Sequence, residues 1–170
     1  MTNRHTKSGF TVVELMVALA IAAVMMVYAV PAFNDFTAQR QMAANVNYVI
    51  SGINYARNEA ARRGTTVSLR SLDASDDANE WGPGFCVTET ADADCGTAIT
   101  LFAPEEGITI NGTNALNTLG DLAFNARGMF TGGVTGEIEV CGTDADDDPG
   151  RIVRLSLIGR ASVADLVCFP

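Results

Sequence analysis

Histidine is almost absent from the 170-residue sequence: the only one, His5, lies within the first nine residues. Catalysis by proton transfer near neutral pH usually uses histidine or a carboxylate with a shifted pKa. The sequence offers no paired carboxylates that would serve instead, and no glycine-rich phosphate loop, since its glycines are dispersed at turns. We therefore do not expect an enzyme, and we expect no cofactor and no catalytic or metal residues.

Basic residues are also scarce. Lysine and arginine together number 11 against 20 acidic residues, which gives a formal net charge of −9. Such a surface repels nucleic acid and anionic lipid headgroups over a Debye length, about 8–10 Å at physiological salt. Binding of polyanions is therefore a poor default expectation, although a local basic patch is compatible with this charge.

Long apolar runs are limited to one. No residue from Leu15 to Phe33 carries a charge, and this run is about as long as a bilayer core is thick. Glu14 stands at its start, and a charge inside a membrane segment costs roughly 2.5–3.5 kcal/mol when central. Arg4 and Lys7 precede the run and Asp35 follows it, so the positive-inside rule predicts a cytoplasmic amino end. We expect one pass through the inner membrane and a periplasmic remainder.

All four cysteines lie beyond this apolar run, at positions 86, 95, 141 and 168. In an oxidising compartment an even number of cysteines indicates disulfides, and four cysteines allow three connectivities. We favour Cys86–Cys95, which closes a short loop, and Cys141–Cys168, which pins the last residues. Free buried thiols are the alternative.

The helix is predicted to continue beyond Phe33, because apolar residues recur at steps of four and three. This stripe comprises Met42, Val46, Val49, Ile53, Ala56 and Ala60. The polar residues expected on other faces are Arg40, Asn45, Asn54 and Arg57. Arg62 and Arg63 suit a helix carboxyl end, and Gly64 can adopt the left-handed cap. Pro31 removes one backbone hydrogen bond and should kink or loosen the helix.

Beyond Gly64 the pattern becomes strand-like, with turn signals between short segments. The predicted strands are residues 65–69, 84–88, 99–102, 108–110, 122–124, 136–140, 152–158 and 161–167. The turn signals are Asn111-Gly112, Arg127-Gly128, Gly132-Gly133, Pro149-Gly150 and Ile158-Gly159. We predict an α+β fold: a long N-terminal helix packed on a C-terminal antiparallel β-sheet head.

The start of the chain carries a specific motif. Gly9-Phe10-Thr11 and Glu14-Leu15 stand at the head of the apolar run, with Pro31 downstream. This order resembles the class III signal of type IV pilins and type II secretion pseudopilins. The resemblance implies cleavage after Gly9 by a prepilin peptidase, N-methylation of Phe10, and a filament in which Glu14 pairs with the terminal amine of a neighbouring subunit. An ordinary secretory signal and a simple membrane anchor are the alternatives.

This resemblance divides the chain into four parts: a leader at residues 1–9, a transmembrane and fibre-core half-helix at 10–33, an amphipathic half-helix at 34–64, and a periplasmic β-rich head at 65–170. Removal of the leader takes away Arg4 and Lys7 and leaves 9 basic against 20 acidic side chains, a net charge of −11.

Four segments of the predicted head and its helix carry a second resemblance: residues 55–64, 81–86, 124–128 and 154–160. Together they look like the GspH/FimT group, which includes minor pilins of type IV pili and a minor pseudopilin of type II secretion. The group implies a pilin-like fold and a hetero-oligomeric filament with other major and minor pilins. The expected function is a minor pilin that primes or adapts assembly near the fibre tip. A minor pseudopilin is the alternative.

DNA uptake is the alternative of a different class. Some FimT-type pilins bind DNA through a Gly-Arg-x-Arg pattern, whereas this chain reads Gly159-Arg160-Ala161-Ser162, with serine in place of the second arginine. Arg151, Arg154 and Arg160 are the candidate DNA contacts. Cross-strand pairing is the competing explanation for such arginines.

An acidic cluster at residues 144–148, followed by Pro149-Gly150, suggests weak calcium binding, because oxygen ligands at alternate positions suit that ion. In an EF-hand numbered from Asp144, however, Pro149 occupies the position of the required glycine and Leu155 that of the bidentate glutamate. We therefore favour solvated turn carboxylates.

Overall fold

The computed structural model of the protein describes residues 10–72, 80–89, 95–104, 107–113, 121–131, 136–142 and 149–168. The chain divides into two compact units, Met1–Gln39 and Arg40–Pro170. A single helix, α1, spans Val12–Arg63 and belongs to both units. The remaining described elements all lie in the second unit.

The carboxyl end of α1 is where the sequence predicts it. Arg62 and Arg63 occupy its last turn, and Gly64 follows with φ of 69°. The Gly64 N–H donates to the carbonyl of Ala60 at 2.9 Å. A left-handed backbone conformation costs glycine little, so Gly64 can cap the helix and let the chain turn toward the first strand.

The head contains two four-stranded sheets within the described residues, where the sequence predicted one. The first sheet has the order β3-β2-β1-β5, formed by Thr100–Phe102, Phe85–Thr88, Val67–Ser71 and Asp121–Phe124. The second has the order β4-β6-β7-β8, formed by Ile108–Thr113, Gly136–Gly142, Pro149–Leu155 and Ala161–Val167. Every pair of neighbours is antiparallel. The α+β class is therefore confirmed.

The core of the head combines the helix stripe with residues from both sheets. All six predicted stripe residues are buried. The largest fully buried side chains beside them are Trp81, Phe85, Leu69, Ile110, Leu122, Phe124 and Ile138. Full burial of one Leu, Ile or Phe side chain contributes roughly 1.5–3 kcal/mol, so this cluster provides the main stabilisation of the fold.

Several details of the sequence-based prediction are wrong; the strand predicted at residues 152–158, for example, ends at Leu155. Asn45 is buried, because it lies three residues after Met42 and four before Val49, on the core face; its amide donates to the Gln41 carbonyl at 3.2 Å. Asn111-Gly112 is not a turn but belongs to β4, where it pairs with β6. Pro149-Gly150 likewise begins β7 instead of preceding it. In both cases the ladder with a neighbouring strand overrides the local turn preference. Gly132-Gly133 lies outside the described residues.

Candidate filament-assembly surfaces

The amino-terminal unit presents an uncovered apolar helix surface. The helix is long and apolar enough to cross a membrane, with a mean hydropathy of 2.4 in its most apolar window. None of that window is buried within the described part of the chain. Large exposed apolar surfaces mark sites of contact with membranes or other proteins. This surface therefore has the character of a membrane-contacting or protein-contacting site.

The start of α1 is capped by Thr11. Its side-chain Oγ1 accepts a hydrogen bond from the backbone N–H of Glu14 at 3.2 Å, and its carbonyl accepts the Leu15 N–H at 3.1 Å. This is the threonine half of a capping box, Thr-x-x-Glu, which satisfies one of the free N–H groups of the first turn. Glu14 therefore stands in the first turn, where the helix dipole favours a carboxylate.

The other residues predicted at this end are placed as follows. Phe10 directly precedes the cap and is 80% exposed. Pro31 lies inside α1, which is assigned as helix without a break on either side of it. Gly9 and the rest of the leader lie outside the described residues.

Two disulfides join the four cysteines, with the pairings that their spacing favoured. Cys86 of β2 is bonded to Cys95 at the start of a 3-10 turn, Cys95–Thr97. Cys141 of β6 is bonded to Cys168, directly after β8. This second bridge crosses β7 at Gly150, where a β-carbon would contact the sulfur atoms of both cysteines. The bridge thus links the edge strand to a strand two positions away in the sheet.

The last turns of α1 are joined to the first sheet through Glu59. Its carboxylate accepts bonds from Arg62, at 2.7 Å from Nη2, and from Arg63, at 2.6 Å from Nε. Arg63 also reaches Glu89 beyond β2 at 3.0 Å. The hydrogen bonds from Arg62 and then Arg63 lower the pKa of Glu59 from 4.5 to about 2. They also raise the pKa of both arginines. This network gives Glu59, Arg62 and Arg63 of the segment at residues 55–64 a structural role.

Arg57 joins α1 to two distant turns. Its Nη1 donates to the Gly159 carbonyl at 3.4 Å, and its Cγ lies 3.0 Å from where a β-carbon of Gly128 would stand. Both glycines have positive φ, 69° at Gly128 and 76° at Gly159. The segments at residues 55–64, 124–128 and 154–160 therefore meet at one side chain. The sequence placed Arg57 away from the core and did not predict this contact.

The segment at residues 81–86 joins the two sheets. The Trp81 backbone N–H donates to the Ile110 carbonyl of β4 at 3.0 Å. The Trp81 ring contacts Phe85 of β2 with centroids 5.9 Å apart. Gly84, with φ of 132°, leaves no room for a β-carbon, which would stand 2.7 Å from the Phe102 carbonyl oxygen.

Two of the three candidate DNA-binding arginines form cross-strand ion pairs. Arg151 Nη1 lies 2.7 Å from Asp165 Oδ1, and Arg154 Nε lies 2.8 Å from Glu137 Oε1. Arg160 is exposed at the β7–β8 turn. The candidate calcium ligands at residues 144–148 lie outside the described residues. Elsewhere, the described ranges contain no group of three or more acidic, histidine or cysteine side chains able to hold a metal ion.

A long helix with an uncovered apolar half, packed through its second half on antiparallel sheets, defines a pilin-type subunit. The chain belongs to the family described as type II transport protein GspH, whose model matches residues 45–159. A prokaryotic N-terminal methylation motif matches residues 4–30. Pilin and pseudopilin subunits of this family assemble with other pilins in a filament, and their fold serves a structural role. The N-terminal motif and the apolar helix indicate membrane anchoring.

Solved structures show the same fold. The type IV minor pilin FimU of Pseudomonas aeruginosa, strain PAO1, superposes with a TM-score of 0.63 at 20% identity, over 76% of this chain and 92% of that one. Its second crystal form gives 0.57 at 20% identity, over 72% and 90%. The type IV major fimbrial protein FimA of Dichelobacter nodosus is 42% identical over 44 residues, or 26% of this chain. That match spans 28% of the length of the fimbrial protein.

Proposed function

We propose that this chain is a minor pilin of a type IV pilus that primes or adapts filament assembly near the tip. A prepilin peptidase cleaves it after Gly9 and methylates the new amino terminus at Phe10. The chain is first held in the inner membrane, with its amino end cytoplasmic and its head periplasmic. It then leaves the bilayer for the filament.

The observation that carries this proposal is the exposure of the apolar half of α1. The described part of the chain buries none of its most apolar stretch. Lipid covers it before assembly, and neighbouring helices cover it in the fibre. Glu14 supplies specificity, because a carboxylate in such surroundings is costly unless it is paired with a cation. Cleavage frees an amine at Phe10, four residues before Glu14. The amine of one subunit provides the cation for Glu14 of its neighbour.

The test begins with processing. Replacing Gly9 with valine should leave an uncleaved precursor in the membrane, because the β-branched side chain would obstruct the cleavage site. Ser8→Ala is the matched control and should be cleaved normally. Mass spectrometry of the mature wild-type chain should show N-methylated Phe10 at its start. A mature chain that begins elsewhere would refute the proposal.

A minor pseudopilin of type II secretion is the second candidate, favoured by the family match to residues 45–159. Deletion of the chain separates the two. Loss of surface pili with intact secretion of exoproteins supports the pilus, and the opposite result supports secretion.

DNA uptake is the candidate of another class. It is opposed by the net charge and by the ion pairs of Arg151 and Arg154. Binding through phosphate contacts falls steeply with salt. A salt-titrated binding assay on the mature chain should therefore detect no specific binding at physiological ionic strength.

A further inference from the structure

From residue 57 onward, the arginines fall into two groups. Five of them pair with carboxylates: Arg62, Arg63, Arg70, Arg151 and Arg154. Three others, Arg57, Arg127 and Arg160, have no carboxylate partner within the described ranges. Arg127 and Arg160 are exposed, and Arg57 is half-buried. In a chain with an excess of acidic residues, three cations without an acidic partner call for an explanation.

These three arginines belong to one place in the fold. Arg127 directly precedes Gly128, and Arg160 directly follows Gly159. The two glycine turns touch, since a β-carbon on Gly159 would stand 2.5 Å from the Gly128 carbonyl oxygen. Arg57 lies against both turns. The contact between the turns therefore brings three positive charges to the same corner of the head.

The two turns are held in shape by their own hydrogen bonds. The Gly128 N–H donates to the Asn125 carbonyl at 2.7 Å, and the Gly159 N–H donates to the Ser156 carbonyl at 2.8 Å. Asn125 Oδ1 also accepts from the N–H groups of Arg127 and Met129. A corner built this way is organised before any partner arrives, which lowers the entropic cost of binding.

Exposed apolar side chains occupy the same turns. Met129 is 39% exposed, Leu157 50% and Ile158 60%. Arginine and methionine are enriched at protein interfaces, where apolar contact is surrounded by polar groups. The corner formed by Arg57, Arg127, Met129, Leu157, Ile158 and Arg160 has this composition. We call it the arginine corner.

We propose that the arginine corner docks a different pilin-type subunit, whose contacting face presents carboxylates around an apolar centre. Each guanidinium can bind a carboxylate through two parallel hydrogen bonds, while Leu157 and Ile158 fill the apolar centre. Two copies of this chain meeting corner to corner would oppose like charges, because a two-fold contact brings identical patches together. This inference rests on the proposed filament function.

Nucleic acid fits the corner less well. A duplex presents a long row of phosphates, and beyond three cations that row would meet a head with an excess of negative charge. Base and backbone contacts would also leave Leu157 and Ile158 without a role. A compact acidic patch on a protein matches both the charge and the exposed apolar surface.

The experiment uses the full-length chain in cells that assemble the filament. A photo-crosslinking amino acid replaces Leu157, and the control carries it at Leu101, which is 57% exposed on β3 of the other sheet. We expect position 157 to give an adduct whose partner is identified by mass spectrometry as another pilin-type subunit. Position 101 should not give that adduct.

Charge reversal then tests the role of the arginines. The double variant Arg127→Glu with Arg160→Glu should lower the yield of the adduct about tenfold, because opposed like charges disfavour docking. The control, Arg151→Gln with Arg154→Gln, removes two arginines of the neighbouring strand without placing like charges opposite each other, and should leave the yield within twofold. Reversing a carboxylate in the crosslinked partner peptide to arginine should restore the adduct with the first variant.

Four results would overturn the proposal: no adduct at 157 beyond that at 101, an adduct only between copies of this chain, an adduct with nucleic acid, or a yield unaffected by the reversal at 127 and 160. Cleavage after Gly9 and entry into the sheared filament fraction are measured in the same cells. A processed, incorporated chain without the adduct refutes the docking alone, whereas an unprocessed or unincorporated chain refutes the proposed function and the docking with it.

Discussion

A single methyl group added at Gly52 tests how rigidly the helix is packed on the first sheet. Gly52 is buried in the second half of α1. A β-carbon there would lie 2.5 Å from Cε2 of Phe85 and 3.4 Å from Cδ1 of Leu69. Real β-carbons do not approach other atoms at the first of these distances, so either Phe85 or the helix must move.

Two opposing effects decide the outcome of Gly52→Ala. Alanine is favoured over glycine in a helix by about 1 kcal/mol. Overpacking a well-packed core costs typically about 1–3 kcal/mol. The higher part of that range applies here, because Phe85 is fully buried and stacks on Phe102 with centroids 5.0 Å apart. We therefore expect a net loss of about 1–2 kcal/mol, although the substitution improves helix propensity.

Urea unfolding of residues 40–170 measures this loss, since the core cluster formed by the described residues lies within that segment. Ser51→Ala is the matched control on the exposed side of the same turn; it should be neutral or slightly stabilising. In a Phe85→Leu background the smaller side chain leaves room, and Gly52→Ala should become less costly. A gain of about 1 kcal/mol from Gly52→Ala alone would refute the reasoning, because it would mean that the aromatic cluster yields easily.

Three further predictions concern the two disulfides, the Glu59 carboxylate and the Glu14 carboxylate. Removing the Cys141–Cys168 bridge, which spans a sequence separation of 27, should lower the free energy of unfolding by about 3.6 kcal/mol through loop-closure entropy. Removing the Cys86–Cys95 bridge, which spans a separation of 9, should lower it by about 2.7 kcal/mol. Equal urea midpoints for the two double Cys→Ala variants would contradict this order. Glu59 has a folded pKa of about 2, below its ordinary value of 4.5, so its stabilisation is complete above pH 4.5 and is lost as the pH falls through 2. The melting temperature of wild type should accordingly fall more than that of Glu59→Gln between pH 6 and pH 2.5, and parallel curves would exclude a role for this carboxylate. Glu14→Ala should insert into the membrane and be cleaved, yet be depleted from the sheared filament fraction; normal incorporation would rule out pairing with a neighbouring amine.

Local patterns were sufficient for the elements that depend on short-range chemistry. The period of the apolar stripe predicts the buried face of α1, because residues three and four apart share one side of a helix. Arg62, Arg63 and Gly64 end the helix through the dipole and the left-handed cap. The cysteine spacing favoured the pairings that the structure contains, since the shorter of the two loops closes at little entropic cost.

Contacts between distant segments could not be predicted in this way. Asn111-Gly112 reads as a turn, but its N–H and C=O groups lie in a ladder with β6. Arg57 reads as a solvent-facing helix cation, but it meets turns about 70 and 100 residues further along the chain. The division of the eight described strands into two sheets likewise depends on pairing partners that no single segment specifies.

Beyond its resemblance to pilins, the sequence by itself determined an apolar stem with one acidic residue at its start, an amphipathic continuation, and a β-rich head that contains all four cysteines. These properties follow from composition and period, which act between near neighbours. Only the tertiary structure decided which of the described arginines pair with carboxylates across strands and which lie together at the turns. It paired Arg151 and Arg154 across strands and brought Arg57, Arg127 and Arg160 together, because the partner of a side chain depends on which strands and turns become neighbours when the chain folds.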